Sequence, residues 1–165
     1  MDISDQTGGK GGAPANFQLV CYDGYTLDVP DDSVDVVFSY QFLEHLHPDD
    51  IDGHFQMVRR ILKPGGAYIF DTPHAYTGPH DISVYFSDTP QGFHFQEWTF
   101  GAMSRVLDRA GFSGWFVYRR GRPRFGWTLN FLTYAVEWLL GLLPRRLRKK
   151  LSAPLFASVT MLVRK

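Results

Sequence analysis

The stretch FLEHLHPDD sets a carboxylate, Glu44, beside two imidazoles, His45 and His47, in one short run. A carboxylate and two imidazoles so close can make a general base with its orienting partner, or part of a metal centre. Only two imidazoles sit close together, with no clear third ligand at metal spacing, so no metal is assigned and His45 stands as the catalytic candidate. A second group lies in GPHDISVYFSDTPQGFHFQEW, where His80, Asp81, His94 and Glu97 are spread through an aromatic loop. His80 and His94 are further catalytic candidates on a substrate side, with Tyr76, Tyr85 and Phe86 as walls. Loops longer than about 12 to 15 residues without secondary structure tend to be lids or binding loops. The plainer alternative is that the rings cover a sheet edge and the polar groups make turns. Two short polar sets complete the inventory. Asp23, with Gly24 and Tyr25, follows the apolar FQLVCY, and Ser39, Tyr40 and Gln41 follow VDVVF. Each reads either as strand termination or as a ligand contact.

These residues need elements to hold them. Val34, Val36, Val37 and Phe38 form a short apolar run of the kind a buried strand shows. From Asp49 to Leu62 the period becomes helical, with Ile51, Phe55, Val58, Ile61 and Leu62 on one face. Asp49, Asp50 and Asp52 belong to the first turn of this helix, and Arg59, Arg60 and Lys63 lie near its end, which suits the helix dipole. Pro64 stops it, Gly65-Gly66 permits a left-handed turn, and AYIFDT returns as a strand, giving a βαβ unit. After the loop, Thr99 can cap a helix that turns Phe100, Met103, Val106, Leu107 and Ala110 inward and stops at Gly111. GWFVYRR and FASVTMLVRK read as two more strands.

Composition narrows the class. The chain has 165 residues, 44% of them hydrophobic and 16% aromatic, enough for one globular domain with a core. Seventeen basic and 17 acidic residues cancel, which argues against nucleic acid as a partner. The single Cys21 and the lack of a basic-then-apolar leader make a reducing cytoplasm the expected location. Residues 1–16, MDISDQTGGKGGAPAN, read as a flexible lead-in, and 17–165 as the domain.

Taken together, YDGYTLDVPDDSVDVVFSYQFLEHL, the helix ending RRILKPGG and the strand AYIFDTP resemble the class I S-adenosylmethionine-dependent methyltransferases, of the type 11 group. The resemblance implies a Rossmann-like α/β fold and S-adenosylmethionine as cofactor. It implies that Asp23 accepts from the adenine amine, with Gly24 and Tyr25 against the ring, and that Ser39, Tyr40 and Gln41 approach the methionine part. MDIS resembles the tail of the second strand, which would make Asp2 the acid on the ribose hydroxyls. On that reading the first strand, its Gly-rich turn and most of the second strand are missing, and cofactor binding is expected to be weak or absent. Such a chain would be a fragment of an enzyme that methylates a small-molecule or lipid-like acceptor. The rivals are a non-catalytic interaction module of the same fold and a nicotinamide-dependent enzyme, the latter disfavoured because no Gly-rich fingerprint or Tyr-x-x-x-Lys pair is present.

A helical insertion over about 124–152 precedes the last strand. Its apolar part approaches the roughly 20 residues of a membrane span, but Glu137 lies within it and a span would part the last strand from its sheet. Two expectations remain for 127–150: a helix on a membrane surface backed by Arg145, Arg146, Arg148, Lys149 and Lys150, or a lid or homodimer contact.

Overall fold

The computed structural model describes residues 15–18, 20, 27–119, 122–123 and 127–165. Two compact units are distinguished, Met1–Pro30 and Asp31–Lys165. In the first, the described residues form a turn at Ala15 and Asn16 and a short extended piece in which Val29 N–H donates to Leu27 C=O over 2.9 Å. Asp2, Asp23, Gly24 and Tyr25, and most of the expected strand from Phe17, lie outside the described residues. The named helices and strands all belong to the second unit.

Its elements run β1 (Val34–Tyr40), α1 (Ile51–Ile61), β2 (Leu62–Pro73), α2 (Phe100–Arg109), β3 (Gly114–Arg119), β4 (Arg122–Pro123), α3 (Trp127–Gly141), α4 (Arg145–Ser152) and β5 (Ser158–Arg164). The helical period places Ile51, Phe55, Val58 and Ile61 on one face of α1, and all four are buried. The helix is shorter than its sequence suggests at both ends. Asp50 is the N-cap without a side-chain cap bond, so only Asp52 is acidic in the first turn, and Leu62 and Lys63 already belong to β2. The LKPGG turn depends on its two glycines for different reasons. Gly65 sits at φ 77°, whereas a Cβ on Gly66 would lie 2.9 Å from Lys63 O and 3.1 Å from Asp35 O. Helix α2 begins as its sequence suggests, with Thr99 Oγ1 accepting from Ala102 N–H and Phe100, Met103, Val106 and Leu107 buried.

The strands form one sheet in the order β1-β2-β5-β3-β4. β1 and β2 are parallel, with Val36, Phe38 and Tyr40 beside Ala67, Ile69 and Asp71, as a strand pair joined through a helix must be. β5 is antiparallel to both neighbours, pairing Phe70 with Met161 on one side and Phe116 with Leu162 on the other. One face of this sheet carries Tyr68, Phe70, Val117, Val159, Met161 and Val163, which join α1 and α2 in a single core cluster. Phe55 is its hub, its ring 5.7 Å from those of both Tyr68 and Phe70. A buried aromatic of this size is worth roughly 1.5–3 kcal/mol by burial alone. The other face is bare at β1, where Val36, Phe38 and Tyr40 keep 55%, 66% and 67% of their surface in solvent.

The insertion is two helices rather than one. α3 buries Thr133, Glu137 and Leu140, and α4 carries the basic run. Among the described residues no helix is long and apolar enough to cross a membrane.

Candidate functional site

The chemistry gathers at the carboxyl ends of β1 and β2. Gln41, the first residue past β1, adopts φ 49°, a left-handed conformation that costs a side-chain-bearing residue on the order of 1–2 kcal/mol. It is held there by Asp71 of the neighbouring strand. Gln41 N–H donates to Asp71 O at 2.9 Å and Gln41 Nε2 to Asp71 Oδ1 at 2.6 Å, while Thr160 Oγ1 donates to Asp71 Oδ2. Ser39 Oγ shares a 2.7 Å hydrogen bond with Tyr68 OH, which in turn meets His54 Nε2 at 3.1 Å. Burial lowers the His54 pKa to about 4, so this ring is neutral at pH 7.

Beyond Gln41 a short 3-10 turn, Leu43–His45, drives Leu43 and Glu44 into the interior, both at 0% exposure, and leaves His45 outside. Thr72 Oγ1 donates to Glu44 Oε2 at 2.8 Å, and Glu44 Oε1 has no hydrogen-bond partner. The long loop closes over this turn, since Phe95 N–H donates to Glu44 C=O and His45 Nδ1 lies 2.9 Å from Phe93 C=O. His94 thereby arrives 5.0 Å from His45, ring centre to ring centre. Its Nδ1 is 3.1 Å from Glu97 Oε1, which also accepts from His80 N–H at 2.5 Å.

The loop owes its shape to one carboxylate. Asp81 Oδ1 accepts from Ser83 N–H, and Oδ2 accepts from the N–H groups of Gly92, Phe93 and His94. Burial alone would raise the Asp81 pKa, but the hydrogen bonds from Ser83, His94 and Phe93 outweigh it and hold the carboxyl well below the usual range. Asp81 is thus occupied with backbone. The structure gathers His45, His94 and Glu97 with Glu44, and sends the others elsewhere. His80 turns its ring to Thr77 Oγ1 at 2.8 Å, and His47 lies 3.5 Å from Asp49. Tyr76 lines a cavity of about 420 Å³ together with Pro79, Phe95, Glu97, Arg145 and Arg148. Tyr85 and Phe86 do not wall it, and Tyr85 is 86% exposed.

A second buried assembly escapes sequence reading. Glu137 of α3 accepts from Phe100 N–H at 2.6 Å and Gly101 N–H at 2.7 Å, so a tertiary carboxylate caps α2. His74, fully buried at the end of β2, lies 2.9 Å from the same carboxylate. The charge that speaks against a membrane span is the one that ties the insertion to the sheet.

Residues 2–70 match the family described as Methyltransferase domain. A curated relative from Mycolicibacterium smegmatis, named a probable S-adenosylmethionine-dependent methyltransferase, is 37% identical over 90 residues. That alignment covers 52% of this chain and 31% of the relative, so the chain spans about a third of that protein. Among solved structures, a S-adenosylmethionine-dependent methyltransferase from Mesorhizobium loti superposes with a TM-score of 0.56 at 18% identity, covering 93% of this chain and 72% of that one. One from Archaeoglobus fulgidus gives 0.54 at 16% identity, covering 91% and 68%.

Proposed function

Because residues 2–70 match the methyltransferase domain family and the fold resembles solved S-adenosylmethionine-dependent methyltransferases, we propose that this chain serves methyl transfer to a small-molecule or lipid-like acceptor. The observation that carries the reading is the sheet itself. Parallel β1 and β2 followed by an inserted antiparallel β5 bring Ser39, Tyr40 and Gln41 to the carboxyl ends of parallel strands, where ligands of open α/β sheets gather. The residues fit the proposed cofactor in kind. Tyr40 presents an exposed ring, and Gln41 is held in a strained backbone conformation by Asp71. Ser39, Tyr40 and Gln41 would hold the methionine part; for Asp23, Gly24, Tyr25 and Asp2, which lie outside the described residues, the adenine-amine, ring and ribose roles rest on the family resemblance alone.

When bound, the cofactor supplies a methyl group on a positively charged sulfur that is already a good leaving group. The chain's own residues then need mainly to orient the acceptor, since holding two reacting atoms in line supplies much of the rate. His45, His80 and His94 are the proposed acceptor-side residues. The cavity beside Tyr76 and Phe95 suits an apolar body, and Arg145 and Arg148 suit a polar or anionic end. A lipid-like acceptor is supported by the outer surface of α3, where Phe131, Trp138 and Leu139 are exposed, with Leu142 just past its end and basic α4 following. Sedimentation with anionic vesicles, falling as salt rises, is the expected result for that option.

Calorimetric titration with S-adenosylhomocysteine tests the proposal. Weak or absent binding is expected; where it is measurable, Asp23→Ala should lower it by about 1.5–3 kcal/mol, the range for a hydrogen bond to a charged group. Measurable binding left unchanged in Asp23→Ala would remove Asp23 from the site, and micromolar or tighter binding would overturn the expectation of a weak one. The bare β1 face favours the interaction module as second reading, and that reading gains if self-association persists while nucleoside binding is absent.

A further inference from the structure

We propose that Glu44, His45 and His94 form a binding site for a divalent transition-metal ion, with Zn2+ as its representative. One ligand atom from each of the three lies within 4.8 Å of the other two. More telling is how the remaining atoms are used. Metal-bound imidazoles nearly always donate their second ring nitrogen to a carbonyl or carboxylate, which fixes the tautomer and aims the free lone pair. Both imidazoles here have that arrangement. His45 Nδ1 lies 2.9 Å from Phe93 C=O, and a carbonyl only accepts, so Nδ1 carries the proton and Nε2 is left as the donor to a metal. His94 Nδ1 is held in the same way by the Glu97 carboxylate at 3.1 Å, which makes its Nε2 the candidate ligand atom. The carboxylate completes the pattern. Glu44 Oε2 is occupied by Thr72 Oγ1, whereas Oε1 is fully buried, unpartnered and 4.0 Å from His45 Nε2. A buried carboxylate oxygen without a donor is costly, and a cation supplies the missing partner.

The ligand set selects the metal. Two imidazoles and one carboxylate suit Zn2+ and its neighbours, whereas Mg2+ and Ca2+ call for oxygen ligands. Ligands on a tetrahedral ion with bonds of about 2.0–2.1 Å stand roughly 3.3 Å apart. The three must therefore draw together, and exposed His45 has the freedom to do so. Three protein ligands leave a fourth position for water or another ligand. The Asp81 staple that delivers His94 becomes a positioning device for the metal, although its carboxylate touches none of the ligands' free atoms.

Metal binding does not depend on methyl transfer, so the test needs no cofactor. The tag-free chain, stripped with chelator, is titrated with Zn2+ by calorimetry and with Co2+ by visible absorption, folding being checked by circular dichroism. One equivalent should bind at micromolar or lower concentration, with the absorption of a low-coordinate Co2+ site. His45→Ala, His94→Ala and Glu44→Gln should each weaken binding by at least about 10-fold, and Glu97→Gln by about 10–100-fold through loss of the orienting bond. His47→Ala, whose ring pairs with Asp49, should bind as the native chain does. Absence of stoichiometric binding, equal binding by folded His45→Ala, or equal losses in His47→Ala and His94→Ala would overturn the site.

Discussion

His54 shows how a single buried ring couples the fold to pH. Its Nε2 meets Tyr68 OH, its Nδ1 has no hydrogen-bond partner, and burial lowers its pKa from 6.5 to about 4. In the unfolded chain the ring regains its ordinary value, so between pH 6.5 and 4 the unfolded state binds the extra proton. Stability from this group is therefore complete above pH 6.5 and falls as pH drops toward 4. At about 1.4 kcal/mol per unit, the loss by pH 4 is on the order of 3 kcal/mol. Urea unfolding at pH 7 and pH 4 checks it. His54→Gln keeps a partner for Tyr68 OH and should flatten that slope; an unchanged slope would remove His54 as its source.

At the scale of elements, Glu137 is the attachment of the insertion. Its carboxylate serves the first two amides of α2 and His74 of β2 at once, from a helix that otherwise presents apolar residues outward. Removing one member of a buried polar pair strands the rest, at a cost of about 3–5 kcal/mol. Glu137→Ala should lower unfolding free energy by that amount, and a loss below about 1 kcal/mol would mean that water replaces the carboxylate. This element also marks where sequence reading stops. α1 and α2 are legible because each buries one face at helical spacing, and Thr99 announces its cap. Glu137 is illegible because its partners lie far away in sequence, at Phe100, Gly101 and His74, so it registers only as a charge in an apolar run. α4 is hidden for another reason, since RRLRKK reads as a solvated basic run. The site divides similarly. Glu44 and His45 stand out as neighbours, whereas His94 joins them only through the loop that Asp81 folds.

The whole sheet is asymmetric. α1 and α2 cover one side, but Val36, Phe38 and Tyr40 leave an apolar strip on the other face of β1, an edge strand with no second strand partner among the described residues. Such edges and strips invite pairing with another chain. The protein should self-associate with rising concentration in sedimentation velocity, and Phe38→Lys should shift it toward monomer while leaving unfolding free energy nearly unchanged. A monomer at all concentrations would show that this strip stays solvated.

The position of β5 has a consequence for how the protein is made. It lies between β2 and β3, yet follows both in the chain, with the α3–α4 segment interposed. During synthesis the β1–α1–β2 unit emerges first, and α2 with β3 next, but the backbone groups of β2 and β3 that face each other across the gap have no strand to bond until residues 158–164 leave the ribosome. The sheet therefore cannot close until that segment has emerged, and the gap between β2 and β3 stays open until then. A ribosome-stalled chain ending at Ala157 should be digested by protease as readily as an unfolded one, whereas one that exposes residues through 165 should resist.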